Sequence, residues 1–105
     1  MGVYRTDYLM YGVKLAFDQV DYDKHEAEIH GEPGAAFDIV YDGMSGKYAV
    51  AGKVIARSDG DEGLEFTEIT DDLLPKEPAA LKATIEASIG APVGDMKLYL
   101  FSHYS

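Results

Sequence analysis

The chain has no cysteine, which excludes disulfides, thiolate zinc sites, iron–sulfur clusters and cysteine nucleophiles together. No apolar run approaches the roughly 20 residues of a membrane helix, and no basic N-terminal patch leads into an apolar stretch. The expected setting is therefore the cytoplasm, with no membrane contact. Bases are also scarce: 9 lysines and arginines face 19 aspartates and glutamates, a formal net charge of −10 on 105 residues. Such a surface repels nucleic-acid phosphates, so the expected partner is a protein with a basic surface and not nucleic acid directly. With 47% hydrophobic residues the chain still has material for a core, and its length suits a single domain over 1–105. Oligomeric state is left open.

Periodicity divides the chain into strands and one helix. From Val3 to Phe17, Leu9, Tyr11, Val13, Leu15 and Phe17 alternate with Tyr8, Met10, Gly12, Lys14 and Ala16, the period of a half-buried strand. Residues 18–33 carry only a thin apolar stripe and are expected to be a short helix or a loop. Phe37, Ile39 and Tyr41 begin a second strand, and Tyr48, Val50, Val54 and Ala56 a third. The glycines of Asp42-Gly43-Met44-Ser45-Gly46 suit the reversal between them. Gly52, inside the third strand, suggests a bulge or a close neighbour. Leu64, Phe66 and Ile69 predict one more strand, which would complete a meander over 37–69. Pro78, the row Leu81, Ile85 and Ile89, and then Gly90 predict a helix over about 78–89, with Ala79, Ala80, Ala83 and Ala87 suited to close packing. Met96 to Tyr104 is apolar on both faces and reads as a final strand, central or covered on both faces. The fold class is α+β: a mostly antiparallel sheet of about five strands with one helix packed on one face.

Motifs for chemistry fail on spacing. His25 and His30 in His25-Glu26-Ala27-Glu28-Ile29-His30 are five apart, roughly 140° around a helix, whereas zincin histidines are four apart on one face. They read as solvated polar residues. Asp59-Gly60-Asp61-Glu62-Gly63-Leu64 starts like a calcium loop but has Gly63 and Leu64 where a ligand and the glycine belong, and Thr70 in place of the bidentate glutamate. Gly43-Met44-Ser45-Gly46 is one residue short of a nucleophile elbow and does not lead into a helix. No metal and no cofactor is expected. The tyrosines suit half-exposed strand faces, and the face bearing Tyr8, Met10 and Lys14 is a candidate for contact with a partner.

The charge is local. Residues 18–32 hold six acids against Lys24, a net −5; residues 59–72 hold seven acids and no base, a net −7; the other six acids and eight bases leave +2. Either these are solvated loops that keep the protein soluble, or they form a carboxylate ridge for a basic groove. The candidate partner-binding residues are Asp59, Asp61, Glu62, Glu65, Glu68, Asp71 and Asp72, with Asp21, Asp23 and Glu26 as a second set.

The stretches Tyr41-Asp42-Gly43-Met44-Ser45-Gly46-Lys47-Tyr48 and Gly52-Lys53-Val54-Ile55-Ala56, with the ending Leu98 to Tyr104, resemble the small accessory proteins of bacteriophages. That resemblance implies a host cytoplasm and an inhibitor of a host protein, including nucleic-acid mimics such as some anti-CRISPR proteins; it carries over no functional residue. Three functions follow for testing. The first is a small acidic, non-enzymatic binding protein of the kind such a phage-encoded inhibitor would be, acting through its acidic patches. The second is a small-molecule or nucleotide-signal sequestering protein built on Arg5, Arg57, Lys53 and tyrosines. The third is a small hydrolase using His103 or His25 with a carboxylate.

Overall fold

Unbroken alternation carries the first strand, β1, from Arg5 to Leu15, and its length lets it pair along both edges. The computed structural model describes residues 4–60, 63–64 and 66–105. β1 is followed by a 3-10 turn, Phe17–Gln19, and a single helical turn, α1 (Glu26–Ile29). Then come β2 (Asp38–Tyr41), β3 (Ala49–Asp59), a second 3-10 turn at Asp71–Leu73, the helix α2 (Pro78–Ile89) and β4 (Lys97–Tyr104). The four strands form one antiparallel sheet in the order β2-β3-β1-β4. The α+β architecture is as expected, with four strands in place of about five. Among the described residues, no helix is long and apolar enough to cross a membrane.

The expected hairpin forms between β2 and β3. The buried Asp42 carboxylate closes it by accepting the N–H groups of Ser45 and Lys47, each at 3.1 Å, which makes Ser45 a turn residue. Gly46 supplies the positive φ of 67° that the return needs. The meander stops there. Residues 66–70 are irregular, and Leu64, Phe66 and Ile69 are exposed. A meander would set 64–69 on the edge of β3 opposite β2, and β1 takes that edge along the whole of β3.

The centre of the sheet is set by two glycines opposite one another, Gly12 on β1 and Gly52 on β3. A Cβ on Gly12 would overlap the carbonyl oxygen of Ala51 and lie 2.9 Å from its carbon. One on Gly52 would overlap the carbonyl oxygen of Tyr11 and lie 2.9 Å from its carbon. Gly52 thus marks a close neighbour, while the register shift lies farther along, where Leu9 and Met10 face Ala56 and Val54. The sheet also curls. Tyr48 adjoins the Leu15 end of β1 and His103 pairs with Thr6 near the other end, yet their side chains are 2.9 Å apart.

The curl gives the sheet two different faces. On one, Val13, Leu15, Ile39, Ala49 and Ala51 are buried with Val20 and Phe37 from the connection and with Ile85 from α2. Pro78 opens α2 where its missing N–H costs nothing, and Gly90, at φ 82°, ends it. Ile85 is the helix's only buried side chain, flanked by the half-buried Leu81 and Ile89. The alanines expected to pack closely, Ala79, Ala80, Ala83 and Ala87, face solvent. On the other face, Met10, Val40 and Val50 lie beneath Tyr8, Tyr48, Val54, Tyr99 and Phe101.

β4 is an edge strand, neither central nor covered on both faces as expected. Its Tyr99 and Phe101 join the aromatic face, but Leu98 and Leu100 are 53% and 73% exposed. α2 packs over the buried alanines of β3 and leaves that end of β4 uncovered.

Candidate binding site

The acidic residues singled out from the sequence fall into two arrangements. Asp59, the last residue of β3, accepts hydrogen bonds from Arg57 at 2.6 Å and from the Thr6 hydroxyl at 3.3 Å. The Arg57 hydrogen bond holds its carboxyl below the usual carboxylate range. Asp21, Asp23, Glu26, Glu68, Asp71 and Asp72 are exposed, and none of them pairs with a cation among the described residues. Asp21 accepts the N–H of Asp23 at 3.1 Å, and Asp72 accepts the hydroxyl of Thr70. Asp61, Glu62 and Glu65 lie outside the described residues.

The first acidic stretch meets β2 through α1, and the second begins at Asp59, the end of β3. Glu28 and His30, from the first stretch, line a crevice of about 90 Å³ with Asp38, Val54 and Arg57. Pro75, just beyond the second, lines one of about 300 Å³ with Asp38, Gly52, Lys53 and Ala35. Asp38 is common to the two. The opposite border, β4, bears a single charged residue, Lys97.

The histidines occupy three separate settings. His25 is buried, contrary to the solvated reading: its Nδ1 lies 3.1 Å from Glu28 Oε1 and 3.4 Å from the Ser88 hydroxyl. The helical turn of α1 brings Glu28 back over His25, and α2 brings Ser88, a meeting that no local pattern announces. Ser88, His25 and Glu28 have the residue types of a nucleophilic triad but not its wiring. Both partners sit at one ring nitrogen, whereas a base takes the hydroxyl proton on one nitrogen while the acid orients the other. His30 is exposed and bonded to the Tyr22 hydroxyl at 3.0 Å. His103 shares its hydrogen bond with Tyr48, and burial pushes it below its ordinary pKa. Among the described residues, no three histidine or carboxylate side chains are placed to hold a metal ion.

The concave aromatic face is the other candidate. Tyr8 stacks on Phe101 with ring centres 5.5 Å apart, and the Arg57 guanidinium lies 5.4 Å from the Tyr8 ring centre. Burial raises the pKa of both Tyr8 and Tyr48 above the usual phenol value. Beside this cluster a cavity of about 260 Å³ is lined by Lys14, Tyr48, Val50, Tyr99, Phe101 and Ser102. The strand alternation had marked Tyr8, Met10 and Lys14 as a face for contact. Met10 is in fact fully buried under the aromatics, while Lys14 is exposed at the cavity. Of the bases named for a nucleotide pocket, Arg57 is paired with Asp59, and Arg5 lies 3.4 Å from Asp7. No family model, curated protein or solved structure matches the chain.

Proposed function

We propose that the chain is a binding protein that presents its acidic stretches to a basic protein surface, as an inhibitor of the nucleic-acid-mimic type would. The observation that carries this reading is the set of exposed carboxylates, Asp21, Asp23, Glu26, Glu68, Asp71 and Asp72, left without a cation. Uncompensated like charges cost self-repulsion, which a cationic partner relieves and which steers that partner's approach. The border at β4, which has no acid, falls outside the proposed contact.

The test is capture of a partner from bacterial lysate, followed by purified binding with charge-reversed chains. Changing Asp21, Asp23, Glu26, Glu68, Asp71 and Asp72 to lysine is expected to slow association by tenfold or more, and added salt is expected to weaken the unmodified pair. Unchanged affinity of the charge-reversed chain for the same partner would refute the reading.

A further inference from the structure

We propose that the cavity on the concave face binds a single-ring aromatic carboxylate, with the ring against Tyr99 and Phe101 and the anionic group at the Lys14 ammonium. This site is separate from the acidic surface and does not depend on it. Its walls are Tyr48, Tyr99, Phe101 and Val50, an apolar and largely aromatic lining that suits a flat ring. Its volume, about 260 Å³, lies just under the roughly 300–1,000 Å³ of pockets for drug-sized ligands and accommodates a single ring.

The charge of the ligand follows from Lys14. No acidic residue lines the cavity, and among the described residues Lys14 makes neither an ion pair nor a hydrogen bond. In a chain with 19 acids, an unpaired ammonium beside an aromatic cavity is the complement of an anion. A monoanion meets less repulsion from the net charge of −10 than a phosphate ester does.

The walls are also held in place before a ligand arrives. Tyr48 is tied to His103 at 2.9 Å, Phe101 meets the Tyr48 ring edge-on with centres 6.1 Å apart, and Phe101 is backed by Tyr8. A preformed wall spares the ligand the cost of ordering it.

The test is a titration of the full chain with benzoate and, separately, with uncharged benzamide, followed by NMR. Saturable shifts are expected at the Val50 methyls and the Tyr48, Tyr99 and Phe101 rings on addition of up to about 10 mM benzoate, which saturates even a millimolar site. Lys14→Glu, on an exposed side chain, is expected to leave the spectrum folded and weaken benzoate about tenfold, and benzamide is expected to bind the unmodified chain about tenfold more weakly. Tyr99→Phe keeps the ring and is expected to retain binding. Absence of saturable shifts at these rings, or equal affinity for benzoate in the Lys14→Glu chain, would overturn the proposal.

Discussion

Gly12→Ala is expected to destabilise the fold by about 3 kcal/mol, the upper part of the range for overpacking a filled interior. The added methyl would overlap the Ala51 carbonyl oxygen and stand 2.9 Å from its carbon and 3.0 Å from the Gly52 Cα. All three are backbone atoms, so no change of rotamer relieves the contact. Relief requires β1 and β3 to separate where both glycines are buried, which stretches the ladder on either side of Gly12↔Gly52. Gly52→Ala meets the Tyr11 backbone in the same gap and is expected to cost a similar amount, with the double variant less than additive. Gly43→Ala is the control. Its φ is not positive, and its new methyl would meet only Tyr41 ring carbons at 3.8 Å, so a change within about 0.5 kcal/mol is expected. Urea unfolding followed by far-UV circular dichroism measures all four chains, and about 3 kcal/mol corresponds to a melting temperature lower by about 12–24 °C in a domain of this size. A Gly12→Ala loss below about 1 kcal/mol with an unchanged denaturant slope would refute the close approach of the two strands.

Burial holds His103 below its ordinary value of 6.5, so on acidification the unfolded chain takes up the proton first. The contribution of His103 to stability is complete above that pH and is lost as pH falls through the lower native pKa; urea midpoints across pH 5 to 8 should show a slope that His103→Gln reduces, and an identical slope in the variant would contradict the assignment. Ile85→Ala removes the only buried side chain of α2 and is expected to cost about 3 kcal/mol by the same urea assay, whereas a cost under about 1 kcal/mol would mean that α2 docks through other residues. Leu100→Thr, at an edge position that is 73% exposed, is expected to change stability by no more than about 0.5 kcal/mol, and a loss above about 2 kcal/mol would place β4 inside a core.

Local periodicity carried most of the secondary structure. The alternation in 5–15, the glycine-rich reversal after Tyr41, and Pro78 with Gly90 at the ends of α2 each act within a few residues, and the elements formed where those signals stand. Alternation placed Tyr8, Met10 and Lys14 on one face but did not show that Met10 is fully buried there, and the charge count located the two acidic stretches. Composition identified a cation-poor chain without saying which of its few bases would be left unpaired.

Strand order depended on pairings distant in sequence. Leu64, Phe66 and Ile69 have the spacing of a strand, but β1 takes the edge of β3 beside which they would lie. Leu98 and Leu100 have the composition of a buried strand, yet β4 pairs only with β1, because a hydrophobic run specifies a wish for cover and not its supply. Gly12 and Gly52 are 40 residues apart, and only their pairing reveals why neither bears a side chain. The cavity lined by Lys14 and Tyr48 likewise depends on curvature, which brings Tyr48 across to His103 and joins side chains that no short window of sequence relates.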